Sequence, residues 1–313
     1  MRHHLEYLTV RLVALAMRLL TPSQVRGVGT LLGLAFYHAD RQHRQVALQN
    51  LAAAFPHRSG RERRAICRRM FAHFGHVLVE LLKVGSLPPA RLLELVEWEG
   101  TDRVVLAYSH GRGVLFCTGH FGFWEQLALA HGLKFGSMAV LARALDNPLL
   151  NRLLERTRCR TGNTVIYRQG AMRQAMRQLA GGKGVGMLID QHMHSADAIY
   201  VDFFERPAST TSALARLALR TGAPVVPLFA LPLPGGRYRI IYEHPMEPPR
   251  DDSPEAIREF TQRCTDVLEM YVRRHPELWL WMHRRWRDGG GDHVGGMFPP
   301  VSAELGADPN SGL

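Results

Sequence analysis

The sequence predicts an α/β protein: a mixed, mainly parallel central sheet flanked by helices, behind a helical N-terminal region. Three observations carry that expectation. Short, almost wholly apolar runs recur between residues 100 and 245: Val114 to Cys117, Met138 to Leu141, Val165 to Tyr167, Val185 to Ile189 and Val225 to Phe229. Helical patterns separate them, over Trp124 to His131, Pro148 to Arg158, Ala171 to Leu179 and Ser212 to Arg220. Strands that are apolar throughout and alternate with helices belong to a sheet covered on both faces. The first hundred residues instead read as helical, by the spacing of their apolar positions.

In chain order, Leu5 to Leu20 carries leucines at positions 5, 8, 12, 15 and 19, and is interrupted by Glu6, Arg11 and Arg18. It lacks the ~18 uninterrupted apolar residues of a spanning helix and the small-residue cleavage site of a signal peptide. A second apolar segment, Val25 to Tyr37, follows Thr21-Pro22-Ser23. This pair reads either as helices packed on the protein body or as an interfacial amphipathic anchor with arginines near lipid phosphates. Arg41 to Phe55 is amphipathic, and Pro56 with Ser59-Gly60 ends it. Arg61 to Val84 is a long helix, basic at its start and apolar later; the basic run is a solvated face or meets anionic headgroups. Tyr238 to Tyr242 is expected as an edge strand, and Pro254 to Arg274 as a helix with Ser253 as N-cap. The Gly- and Pro-rich stretch from Gly289 is expected to be disordered.

The chain has 313 residues, 46% hydrophobic and 21% charged, which excludes a disordered chain, a collagen-like fibre and a small disulfide scaffold. Its net charge is +11, and only Lys83, Lys134 and Lys183 of its 39 basic residues are lysines. Arginine binds phosphate and carboxylate through a planar fork, so the excess points to an anionic partner or reflects a genome whose codons favour arginine. Cys67, Cys117, Cys159 and Cys264 form no CxxC pair and read as reduced, buried thiols.

Ligands of such sheets bind beyond the carboxyl ends of the strands. The loop after the first apolar strand is Gly119-His120-Phe121-Gly122-Phe123-Trp124-Glu125. A histidine there can act as a general base near neutral pH, and a neighbouring carboxylate can hold its tautomer. Spacing alone does not select His120, because His57–Glu62, His192–Asp197 and His283–Asp288 repeat the same interval. Its place between an apolar strand, two glycines and a helix start does. The alternative is a polar loop residue without a chemical role. Asp190 and Gln191 follow the strand Val185 to Ile189, at the same ligand edge or as ordinary loop residues. Arg143, Asn147, Arg156, Arg158 and Arg168 approach that edge too, where one or two would bind phosphate or stabilise developing charge while the rest are surface charges. His192 and His194 share a strand-like face with Asp197 nearby, yet no second ligand cluster accompanies them, so no metal is expected.

Taken in order, the block from Gly119 to Glu125, Asn147-Pro148, Arg158 before Gly162, Asp190-Gln191, Phe203-Phe204, Ala223 to Pro227 and the closing Pro276 to Trp286 resemble the lipid A biosynthesis (lauroyl/myristoyl) acyltransferases, within the lysophospholipid-acyltransferase-like enzymes. The likeness spans roughly residues 40 to 287. It implies a glycerolipid acyltransferase-like fold over 40–287; the residues themselves divide the rest into membrane-associating amphipathic helices over 1–39 and a tail over 288–313, and the interrupted N-terminal apolar segment departs from family members with a clean spanning helix. The likeness also implies transfer of an acyl chain from an acyl-thioester, on acyl carrier protein or CoA, to a hydroxyl of a phosphorylated glycolipid, the lipid A precursor. In that light His120 deprotonates the acceptor, Glu125 orients it, and Arg158 and Asp190 occupy positions that matter in the family. Arg143, Asn147, Arg168 and Gln191 are expected to bind substrate. No cofactor, metal, nucleic acid or acyl-enzyme is called for. The implied location is the cytoplasmic face of the inner membrane, against an anionic surface. The competing readings are an acyltransferase of another glycolipid, such as a phosphatidylinositol mannoside, using acyl-CoA, and a basic, non-catalytic membrane-surface or nucleic-acid-binding protein.

Overall fold

A computed structural model describes residues 2–85, 87–194 and 198–286. Four helices open the chain: α1 (Arg2–Arg18), α2 (Pro22–Ala39), α3 (Arg41–Ala54) and α4 (Gly60–Val84). Their starts are written in the sequence. Thr21 and Gln24 form a capping box at α2, and Ser59 and Glu62 form another at α4, each satisfying two otherwise unpaired backbone N–H groups. Asp40 caps α3 by accepting from His43 N–H at 3.0 Å. α2 lies so close to α4 that a Cβ on Gly33 would fall 2.1 Å from the Phe71 carbonyl oxygen, and one on Gly75 2.1 Å from that of Gly29. One face of α2 is thus packed on the body of the protein. α1 differs: Leu5, Leu8, Leu12, Leu15 and Leu19 are all more than half exposed and continue into exposed Leu31 and Phe36 of α2. Among the described residues, no helix is long and apolar enough to cross a membrane.

After α5 (Pro89–Glu94) come β1 (Val96–Glu99), α6 (Thr101–Ser109), β2 (Val114–Thr118), α7 (Trp124–Phe135), β3 (Met138–Ala142), α8 (Pro148–Cys159), β4 (Thr164–Tyr167), α9 (Ala171–Ala180) and β5 (Gly184–Leu188). Then follow β6 (Ala198–Asp202), β7 (Pro207–Thr211), α10 (Ala213–Thr221), β8 (Val225–Pro232), β9 (Tyr238–Tyr242) and α11 (Pro254–Arg274). Seven strands form one sheet in the order β1-β9-β8-β2-β5-β3-β4. Only the β8–β9 pairing is antiparallel. The mixed, mainly parallel sheet expected from the sequence is therefore present. Its two faces follow the alternation of the strands. Leu115 and Cys117 of β2 join Val185 and Met187 under α9, α10 and α11, while Val114 and Phe116 join Val226, Leu228 and Ile240 under α6 and α7.

One expectation needs correction. Tyr238 to Tyr242 is not an edge strand: β1 covers it, in register from Val96 opposite Tyr238 to Glu99 opposite Ile241. β1 is short and alternates with charge, so it escapes a search for apolar runs. Those charges are used, because Glu97 sits 2.9 Å from Arg237 and 3.2 Å from Arg239. No element is read from the sequence over residues 198–211, where the antiparallel hairpin β6–β7 lies. Its turn holds Phe204 and Glu205 at φ 57° and 60°, and Phe204 is drawn into the core against Phe55 and Trp281. The expected tail from Gly289 and the candidate metal residue Asp197 lie outside the described residues.

Candidate active site

The carboxyl ends of β2, β5, β3, β4 and β8 share one edge of the sheet, because these strands are parallel. His120 sits two residues beyond β2. Its turn depends on two glycines. Gly122 has φ +59°, and a Cβ there would fall 1.8 Å from the Ala230 carbonyl oxygen. A Cβ on Gly119 would meet Asp190 Oδ2 at 2.9 Å. Glycine thus lets the chain turn left-handed at 122 and lets Asp190 come up against the loop at 119. From behind, buried His73 of α4 donates Nε2–H to the Gly122 carbonyl at 3.2 Å; burial pushes its pKa down to about 4 and keeps it neutral.

Asp190 comes from the end of β5, where Ile189 N–H bonds the Thr118 carbonyl at 3.0 Å. Its Oδ1 lies 2.9 Å from His120 Nδ1. Its Oδ2 accepts from the His120 backbone N–H at 2.7 Å and from the Trp279 indole N–H at 2.8 Å. Asp190 is 1% exposed. Burial opposes its ionisation, yet the interaction and hydrogen bonds with His120 outweigh it and hold the carboxyl well below the usual carboxylate range. A carboxylate at Nδ1 obliges that nitrogen to carry the proton, which leaves Nε2 as the basic atom. Trp124 packs edge-on against the imidazole, with ring centres 5.2 Å apart.

Glu125 does something else. It opens α7, where the helix dipole favours a negative charge, and accepts a two-pronged bond from Arg158 of α8: Nε to Oε2 at 2.9 Å and Nη2 to Oε1 at 2.5 Å. Both side chains are largely buried, at 9% and 17% exposure. Arg158 keeps its charge because the bonds and charge of Glu125 outweigh the burial that opposes it. The carboxylate that steadies His120 is therefore Asp190, brought from 70 residues away, and Glu125 is matched to Arg158.

The remaining sequence candidates divide. Arg143 and Arg168 follow β3 and β4 directly and Gln191 lies three residues beyond β5; all three are exposed at the ligand edge, Arg143 bonding Asp146 at 2.9 Å. Asn147 is buried and joins two helices. Its Oδ1 caps α8 through Leu149 and Leu150 N–H, and its Nδ2 donates to the His3 carbonyl and to Glu6 of α1. Among the described residues, no group of three His, Cys, Asp or Glu could hold a metal.

Sequence reasoning gave no role to Trp279 or His283, although both lie in the closing aromatic-basic segment. That segment crosses the His120 loop as a short antiparallel bridge: Leu280 N–H bonds the His120 carbonyl at 3.0 Å, and Gly122 N–H bonds Leu278 at 2.9 Å. His283 Nε2 lies 3.9 Å from Asp190 Oδ2, and burial pushes its pKa down to about 3 despite that carboxylate. The clue in the sequence was the resemblance that Pro276 to Trp286 bear to the closing segment of the lipid A acyltransferases.

An imidazole backed by a buried carboxylate at the ligand edge of a parallel sheet is able to take a proton from a hydroxyl at one step and return it at the next, which is the chemistry of an α/β enzyme site. Residues 1–288 match the bacterial lipid A biosynthesis acyltransferase family. The chain belongs to that family, and it is an acyl-transferring enzyme. It is 26% identical over 265 residues to the lipid A biosynthesis myristoyltransferase of Escherichia coli K12, covering 84% of this chain and 81% of that one. It is 27% identical over 289 residues to the lauroyltransferase of the same organism, covering 91% and 92%. A solved 1-acyl-sn-glycerophosphate acyltransferase from Thermotoga maritima is similar over 79% of this chain and 96% of that chain, at 18% identity and a TM-score of 0.38.

Proposed function

We propose that this enzyme moves a fatty acyl chain from an acyl-thioester, carried on acyl carrier protein, to a hydroxyl of a lipid A precursor, with His120 as the general base. The observation that carries this reading is the His120–Asp190 pair at 2.9 Å with Nε2 left as the basic atom. The acceptor hydroxyl gives its proton to Nε2, and its oxygen attacks the thioester carbonyl. The carbon–sulfur bond then breaks, and the imidazolium returns the proton to the departing thiolate. Asp190 stabilises the imidazolium between these steps, and the reaction needs no enzyme nucleophile. The Arg158–Glu125 pair supports the positive side of the site, with Arg158 set to stabilise the oxyanion or a substrate phosphate. Arg143, Arg168 and Gln191 stand where a phosphorylated headgroup would reach the edge of the sheet.

Attachment is proposed at the cytoplasmic face of the inner membrane; the exposed leucine stripe of α1 supports association with a membrane surface, its leucines lying among acyl chains. Residues 1–39 would serve attachment and residues 40–287 the chemistry.

His120→Ala tests the base. It is expected to lower kcat by at least about 10²-fold while vesicle and lipid binding persist. Full activity in that variant would remove His120 from the mechanism. Mass spectrometry of lipid extracts from cells with and without the gene reads the acceptor directly. A mass difference of one acyl group on lipid A supports the reading, and the same difference on another glycolipid alone overturns it.

A further inference from the structure

We propose that the C-terminal strap, residues 278–283, belongs to the device that readies the base, with Trp279 as its positioning residue: the indole N–H locks the Asp190 carboxylate so that Oδ1 is kept for His120 Nδ1. The inference rests on the reading of His120 as the base.

The geometry of the carboxylate carries the argument. A free aspartate can rotate about its last torsion and offer either oxygen to a partner. Here Oδ2 is claimed twice, by the His120 backbone N–H at 2.7 Å and the Trp279 indole at 2.8 Å, from two different segments of the chain. With Oδ2 pinned on both sides, Oδ1 has one orientation, toward the His120 ring. The backbone bond is supplied by the catalytic loop itself and would move with it. The indole is the only one of the two fixed from outside that loop.

The strap is built to hold that indole still. Trp279 is fully buried, between Phe203 at 5.4 Å, Trp281 at 4.6 Å and His283 at 4.9 Å between ring centres. Buried Asn50 of α3 ties down the chain that follows, donating to the carbonyls of Trp281 at 2.8 Å and His283 at 2.7 Å. The Trp281 indole closes back on the Pro276 carbonyl at 2.6 Å. Further on, fully buried Arg285 reaches the Ser209 carbonyl at 2.5 Å and Thr210 Oγ1 at 2.6 Å, fastening the strap to β7.

The charges around Asp190 agree with such a role. His120, His283 and Arg285 face it. His283 is uncharged because burial pushes its pKa to about 3, and Arg285 directs its donors to β7. The indole is a neutral donor. It fixes the carboxylate without competing as a cation, and the negative charge is left for the imidazolium that forms on His120.

Trp279→Phe removes the N–H and keeps an aromatic ring. Replacement of Trp279 by β-(3-benzothienyl)alanine keeps the whole bicyclic shape and loses only the N–H, which serves if the phenylalanine variant fails to fold. Full-length protein would be assayed by release of free thiol from acyl-thioester, with 15N NMR of the His120 ring. The expected result is a fall in kcat of about ten- to a hundredfold, the worth of one hydrogen bond to a charged group. KM for both substrates stays within about twofold and the Nδ1–H tautomer is partly lost. In an Asp190→Asn background the same replacement costs less than about threefold, since the group through which it acts is already gone. An unchanged kcat in the benzothienyl variant overturns the proposal. So does an equal loss in both backgrounds with the tautomer intact, which is the behaviour of a packing residue. If His120→Ala retains full activity, the base reading itself fails; if that variant is inactive and the Trp279 replacements are neutral, only the role of the strap falls.

Discussion

Asp190→Asn separates the geometry of this site from its charge, because the replacement is almost isosteric. The side-chain amide has one oxygen and one NH2 where the carboxylate has two acceptors. At the Oδ2 position two donors converge, the His120 backbone N–H at 2.7 Å and the Trp279 indole at 2.8 Å. Only the amide oxygen can satisfy both, so it takes that place and the NH2 falls at the Oδ1 position, 2.9 Å from His120 Nδ1. A donor there obliges Nδ1 to accept, which moves the ring proton to Nε2, the atom that must be unprotonated to act as base. The fold should tolerate the change, since each buried donor keeps an acceptor. Chemistry should not. Loss of the working tautomer together with loss of imidazolium stabilisation is expected to lower kcat by about 10²- to 10⁴-fold, with KM little altered. Acyl-thioester turnover measured alongside 15N NMR of the imidazole checks both halves. A kcat within about fivefold of the parent, or a ring that keeps its Nδ1 proton, would refute the reasoning.

Arg158→Ala strips the partner from a buried carboxylate and is expected to destabilise the fold by about 3–5 kcal/mol in urea unfolding; Glu125→Gln with Arg158→Met should recover most of that stability while activity stays lost. Gly122→Ala asks a left-handed residue to carry a Cβ 1.8 Å from the Ala230 oxygen, so a loss of at least about 2 kcal/mol and collapse of turnover should appear together in thermal melts and assays. Burial lowers the pKa of His73 to about 4 and of His131 and His283 to about 3, below the usual 6.5. These groups bind protons in the unfolded chain first, so their contribution to stability is whole above pH 6.5 and is lost as pH falls toward those folded values. Each contributes a slope of about 1.4 kcal/mol per pH unit within that window. His131→Gln, at a site bonded only to Tyr108 and Tyr242 among the described contacts, should reduce the slope between pH 6 and pH 4 by about that amount without touching kcat at pH 7.5; an unchanged slope would count against a neutral buried imidazole there.

The sheet was legible because its interior strands are apolar along their whole length and its helices carry their own start signals. β2, β3, β4, β5 and β8 and the cap at Ser253 follow from local pattern. β1 was not legible, because a four-residue strand with charge at alternate positions carries too little apolar pattern and is held by its pairing with β9. His120, Glu125, Arg158 and Asp190 could all be picked from the sequence, since each follows an apolar strand or lies in a helix beside one.

Their pairing could not. The sequence by itself determined the class of fold and offered candidate residues at the edge where ligands of such a sheet bind, because hydrophobic period and helix caps act over a few neighbours. Tertiary structure alone decided that His120 leans on Asp190 rather than on the carboxylate five residues away, that Glu125 belongs to Arg158, and that an indole from the end of the chain reaches the centre of the site. Those choices are made by strand order and close packing, which set distances between residues tens to hundreds of positions apart and leave no trace in local spacing.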